Sequence, residues 1–167
     1  MSHPLSLEER FYGTDRTFMR QMIEVDLKSS PEQVFSALEN LKAYENWLGF
    51  IDVIEEFDTG AGVPCWDVTL RAEIGPFSRL KKLRMVRFVS EPYKEIGFAR
   101  RESDDKVHSD WNLSVRIKSE DPDSCTVFLE VAYSGRFWSK PLQGVFNSHV
   151  AAAKDLLRAS LETTEEK

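Results

Sequence analysis

The order in which hydrophobic periods occur along this chain limits its fold more than any other feature. A period of two runs from Phe18 to Lys28, with Ile23, Val25 and Leu27 on one face and Glu24, Asp26 and Lys28 on the other, as a half-buried strand requires. A short helical stretch follows, then six further segments of strand character at 51–58, 64–74, 80–90, 94–101, 107–119 and 124–134, then one long run at the helical period. The breaks between strands are turn chemistry: Asp58-Thr59-Gly60-Ala61-Gly62, Gly75-Pro76, Glu91-Pro92, Ser103-Asp104-Asp105 and Glu120-Asp121-Pro122-Asp123. Connections this short force neighbouring strands antiparallel. The predicted class is α+β, a curved antiparallel meander of seven strands closed by a single helix.

Two short helices are expected after the first strand. Ser30 can cap, Pro31 suits the first helical position and Gln33 can reach back to complete a capping box, while Val34, Phe35 and Leu38 supply an apolar face. Asn40 reads as a second cap, Leu41, Tyr44 and Trp47 recur every three residues, and Gly49 ends the run. The closing helix spans about 139–162, where Leu142, Val145, Phe146, His149, Val150, Ala153, Leu156, Leu157 and Leu161 recur at three and four residues with Lys154, Asp155, Arg158 and Glu162 between them. The chain divides into an arm at 1–20, one domain at 21–162 and a frayed tail at 163–167, since 167 residues make one ordinary core.

With 22 Lys and Arg against 28 Asp and Glu, the net charge is −6, so the overall field attracts neither nucleic acid nor anionic lipid. The one local exception is the strand from Arg79 to Arg87, which adds Lys81, Lys82 and Arg84; it reads first as an exposed strand face and second as an anion site or a protein-docking surface. Cys65 and Cys125 have no metal-ligand or redox spacing and read as buried reduced thiols, and with no phosphate-cradling glycine loop or His-x-x-x-His spacing in the sequence neither a metal nor a cofactor is expected. The first twenty residues lack an apolar leader core and no stretch approaches the roughly 18 apolar residues of a membrane span. A cytoplasmic location is expected, with the arm at 1–20 as a second candidate for docking a protein partner.

The stretch from Val25 through Ser30-Pro31-Glu32-Gln33-Val34-Phe35 to Leu38, followed by Tyr44-Glu45-Asn46-Trp47, resembles the opening of the START-like (SRPBCC) superfamily. Its members begin with a strand, a Ser/Ala-Pro-x-x-Val-Phe/Trp helix start and an aromatic-Trp segment. The similarity extends over about Gln21 to Leu161 and is greatest to the polyketide cyclase/dehydrase and lipid-transport branch; Ile74-Gly75-Pro76-Phe77 is similar to the branch of proteins related to a component of carbon monoxide dehydrogenase. The resemblance implies a helix-grip fold, a seven-stranded sheet curled round the last helix, with an internal pocket for a hydrophobic small molecule. Some members are enzymes and many only bind.

Alternation then selects the residues facing that pocket: Trp66, Val68 and Leu70, Trp111 and Leu113, and Tyr133 from the strands, Trp47 from the second short helix, and Leu142, Val145, Phe146 and His149 from the last helix. The aromatic content, 11 Phe, 4 Trp and 4 Tyr, suits a ring-lined wall. Binding of a lipid-, polyketide- or aromatic-like molecule is the leading expectation. The alternatives are a cofactor-free aromatase/cyclase or dehydratase with His149 as base and Tyr133 as acid, and an assembly factor. Arg71 or Arg87 would hold a carboxylate only if turned inward, and His108 is a weaker candidate than His149.

Overall fold

Each strand boundary follows from local chemistry. A computed structural model describes residues 18–60, 62–134 and 140–162. Along the chain it contains β1 (Phe18–Leu27), α1 (Pro31–Leu38), a 3-10 helix (Leu41–Asn46), β2 (Ile51–Phe57), β3 (Cys65–Ile74), β4 (Phe77–Glu91), β5 (Glu95–Arg100), β6 (Trp111–Asp121), β7 (Ser124–Ser134) and α2 (Lys140–Glu162). The capping box forms: the Gln33 amide donates to Ser30 Oγ at 3.2 Å, and the Ser30 amide donates to Gln33 Oε1 at 3.1 Å. The second short helix is 3-10 rather than α, which is what apolar residues at a spacing of three favour, because i and i+3 eclipse at that pitch. Asn40 caps it, accepting from the Lys42 amide at 3.0 Å.

Among the described residues the seven strands form one antiparallel sheet in the order β1-β7-β6-β5-β4-β3-β2. The residues of α1 and the 3-10 helix carry the chain from one edge strand, β1, to the other, β2. Register shifts between Ile51 and Val53 and between Arg87 and Val89 bend the sheet, as extra residues in one strand of a pair do. The β3–β4 hairpin is tighter than the sequence suggested. Ile74 pairs with Phe77 across Gly75-Pro76, and Gly75 takes φ 58°, the positive value that the first position of a two-residue hairpin turn demands.

One strand boundary differs from expectation. β6 starts at Trp111, not Val107, because Asp104 organises the preceding loop: its carboxylate accepts from the Lys106 amide at 3.2 Å and lies 2.6 Å from His108 Nε2, leaving Val107 84% exposed. β1 starts at Phe18, where the alternation begins, and Arg20 pairs with Glu130 of β7 at 2.9 Å. The rest of the arm, 1–17, and the tail, 163–167, lie outside the described residues. No helix among the described residues is long and apolar enough to cross a membrane. Cys65 and Cys125 are free and buried, and burial, followed by the negative charges of Asp121 and Glu32, pushes the Cys125 thiol up to about 11.

The last helix lies over the concave side of the sheet and buries Phe146, Val150, Ala153 and Leu157 there, with contacts to β1, β3 and the 3-10 helix. Phe146 stacks on Phe50 at 4.8 Å between centroids. One turn further on, His149 lies flat against Gly49, so close that a Cβ there would collide with Nδ1 and stand 3.0 Å from Cε1. A backbone with no side chain is therefore what lets α2 approach the end of the 3-10 segment.

Ser30→Ala should lower unfolding free energy by about 1 kcal/mol, seen as a reduced urea midpoint at unchanged slope. Gly49→Ala should cost about 1–3 kcal/mol through overpacking. Combining it with His149→Ala should recover most of that loss, and a double-mutant cycle with additive effects would show that the imidazole is not what the glycine accommodates.

Candidate functional site

The inward residues of five strands make one continuous apolar layer. Trp66, Val68, Leu70, Leu83, Met85, Ile96, Phe98, Trp111, Leu113, Val115, Val131 and Tyr133 are all buried, every second residue along their strands, as alternation predicts. Beneath the two short helices this layer is plugged by rings. Tyr44 packs on Trp47 at 4.8 Å and on Phe98 at 5.6 Å, and Trp66 meets Phe98 edge-on at 5.5 Å. The Tyr44 hydroxyl donates to the Leu38 carbonyl at 2.8 Å, and burial holds its phenol well above its ordinary pKa. Trp66 Nε1 is buried without a hydrogen-bond partner among the described residues.

Between this plug and the opposite end of the sheet lies a hollow of about 30 Å³ whose lining is apolar except for Asn112. Of the predicted wall residues, Val68, Leu70, Trp111 and Leu113 line it, and Phe50, Leu83 and Met85 complete it. Trp47 and Trp66 stand in the ring plug instead. Phe146 is committed to Phe50, and the side chain of Leu142 lies outside the described residues. This volume has room for about one or two waters, whereas ligand pockets run to roughly 300 Å³ or more. The expected wide cavity is therefore not open among the described residues, because the aromatic side chains interlock. A broader groove of about 1000 Å³ lies outside the sheet, between Asp26, Lys28, Lys118, Glu120 and Glu162; its exposed mixed charges do not suit a greasy molecule.

The two residues proposed as a catalytic pair come from different elements, His149 from α2 and Tyr133 from β7. His149 is half-buried on Gly49 and has no hydrogen bond or ion pair among the described residues. Val145, about one turn away, is half-buried too. Tyr133 is fully buried on another element, its ring 4.5 Å from that of Trp111.

Beyond the hollow the same face becomes polar, and this the sequence did not reveal. Lys81 continues the inward series of Leu83 and Met85; it is opposite Leu70, and Arg100 is opposite Met85 while continuing that of Phe98. Lys81 Nζ lies 5.6 Å from the centre of the Tyr133 ring and 3.3 Å from Ser109 Oγ. Arg100 Nη1 reaches the same hydroxyl at 3.1 Å and the Ser109 carbonyl at 3.3 Å, Nη2 lies 3.2 Å from His108 Nδ1, and Nε pairs with Glu102 at 2.9 Å. The His108 ring is thus a bridge between Arg100 and Asp104, not a free base. Burial, and then the charge of Arg100, lowers the Lys81 pKa from its ordinary value.

The basic strand is consequently not a single exposed face. Arg84 points outward, over the Phe57 ring at 4.2 Å and to Asp67 at 3.4 Å. Arg87 sits at the register shift and donates to the Glu39 carbonyl at 2.8 Å, where a cation complements the C-terminal end of α1. Arg71 stays outside with Asp52 at 3.3 Å. Arg71 is thus held away from the concave side, while one guanidinium nitrogen of Arg87 is taken by the Glu39 carbonyl. A run of positive residues gives no hint of this division until strand register assigns alternate ones to opposite faces.

No protein-family model and no curated protein matches the sequence. Solved structures do match. The Zhui aromatase/cyclase from Streptomyces sp. R1128 superposes with a TM-score of 0.65 at 12% identity, covering 87% of this chain and 94% of that one. A protein from Thermus thermophilus gives 0.67 at 13% identity over 89% and 100%. A START superfamily protein from Mycobacterium smegmatis gives 0.56 at 18% identity over 88% and 98%. The strand order, the bent sheet, the two short helices after β1 and the gripped last helix agree with these likenesses: the chain has the START-like helix-grip fold.

Proposed function

We propose that this protein binds an apolar small molecule on the concave side of its sheet. The observation that carries the reading is the mainly apolar hollow bounded by Val68, Leu70, Leu83, Met85, Trp111 and Leu113 from the strands and by Leu41 of the 3-10 helix and Leu48 just after it. The resemblance of the fold to an aromatase/cyclase and a START superfamily protein supports it. Burial of a ligand there gains about 0.8 kcal/mol per methylene, so a chain or ring system of modest length binds once its walls have parted. Since about 30 Å³ is present, occupation involves displacement of side chains such as Phe50 and Leu48, and binding is coupled to repacking.

The enzymatic alternative has less support, because His149 has no hydrogen bond or ion pair among the described residues and Tyr133 packs on Trp111 instead. The docking alternative loses the single basic face on which it partly rested, since Arg84 and Arg87 are engaged within the fold; the arm at 1–17 stays outside the described residues.

The neutral probe N-phenyl-1-naphthylamine should brighten with the wild-type protein. Leu83→Ala, which enlarges the hollow, should speed its uptake while costing about 2–4 kcal/mol of stability. Absence of probe uptake by both proteins, with no apolar compound in native mass spectra of freshly purified material, would rule the reading out.

A further inference from the structure

Resting on that reading, we infer that the bound molecule ends in a carboxylate-like anion, which Lys81 and Arg100 receive at the polar end of the concave face. Their arrangement is what an anionic oxygen requires. Two cationic heads from neighbouring strands converge on one neutral acceptor, Ser109 Oγ, at 3.3 and 3.1 Å. Both strands direct them inward by the same alternation that buries Leu83, Met85 and Phe98. Positive charges held this close repel each other, and the lowered pKa of Lys81 reflects both its burial and that repulsion. An anion placed beside the hydroxyl reverses the balance, because it gains two charge-assisted hydrogen bonds.

The surroundings make the cluster a rigid receptor rather than a solvated patch. The Arg100 side chain is 8% exposed, and its fork is oriented from three sides, by Glu102 on Nε, the Ser109 carbonyl on Nη1 and His108 on Nη2. Glu102 is itself held, accepting from the Arg84 amide at 3.1 Å. Tyr133 and Trp111 form the wall beside Lys81, and Trp111 is shared with the apolar hollow. Leu70 and Met85, the register partners of Lys81 and Arg100, line that hollow as well. An apolar body in the hollow thus has its end directed at two cations, which defines the ligand class as an amphipathic acid: a fatty-acid-like chain, or a ring system carrying a carboxylate or an ionised enol.

The test compares two probes with one ring system. 1-Anilinonaphthalene-8-sulfonate carries an anionic group; N-phenyl-1-naphthylamine is its neutral counterpart. Wild type should bind the sulfonate more tightly. Lys81→Gln should weaken sulfonate binding about tenfold or more, the loss of one charge-assisted bond, with the neutral probe unchanged. Ser109→Asp, which supplies its own carboxylate to the two cations, should do the same without removing either. Lys154→Gln, a like loss of charge from an exposed position on the last helix, should leave both probes unaffected. Neutral-probe binding with no preference for the sulfonate, or an equal response of the two probes to Lys81→Gln, would overturn the anionic end while leaving the apolar site intact. Failure of both probes on wild type would overturn the apolar site and the anionic end together.

Discussion

The sheet in this protein is bent, and everything else follows from what covers its concave side. Seven antiparallel strands with apolar residues at every second position leave a continuous hydrophobic surface that cannot face water, and α2 is the cover. Its approach is governed at two points: Phe146 stacked on Phe50 and His149 laid on Gly49. Nearer approach is blocked by the ring and the imidazole, while a larger residue at 49 would hold the helix off. The distance so defined sets how much interior volume the side chains of β3, β4 and β6 must fill, and therefore how much is left over.

What fills it is not uniform along the strands. Under the short helices, Tyr44, Trp47, Trp66 and Phe98 interlock, and large rings with edge-to-face geometry gain about 0.5–1.5 kcal/mol per pair beyond their area. Farther along, Leu, Val and Met side chains join Phe50 and Trp111 around the hollow, and beyond them come Lys81, Arg100 and Ser109. A solid end, a small deformable middle and a charged end succeed one another on a single face. Leu and Met side chains shift at lower cost than stacked rings, so the middle of the face is where volume can be created.

Most of the architecture was legible because it depends on period and on turn chemistry, both local. The alternation in β3, β6 and β7 identified every buried residue it selected among those described, and Ser30-Pro31-Glu32-Gln33 announced the helix that begins there. Where reading failed, the cause was non-local. The start of β6 was placed at Val107 because Asp104 and His108 compete with the strand through a side-chain turn that propensity does not register. The size of the hollow depends on rotamers of rings brought together from β3, β5 and the short helices, which no window of sequence contains. The run from Arg79 to Arg87 looked like one surface because charge was counted along the chain; pairing of β4 with β3 and β5 is what turns Lys81 toward the core and Arg84 away from it.

That division reconciles an acidic protein with a cationic interior end. A net charge of −6 sets up a field that repels large polyanions such as nucleic acid. Over distances beyond a Debye length of about 8 Å the field is screened, and a small molecule at the concave face experiences mainly the groups nearest it. There Lys81 and Arg100 stand against low-dielectric walls of Trp111, Leu113 and Leu70, where a charge interaction is less screened than it is on an outer strand. The same positive residues that would count for little on the convex side, each beside an aspartate and water, discriminate between a neutral and an anionic guest when register places them inside. Selectivity of this kind needs no excess of positive charge, only its placement on the correct parity of one strand.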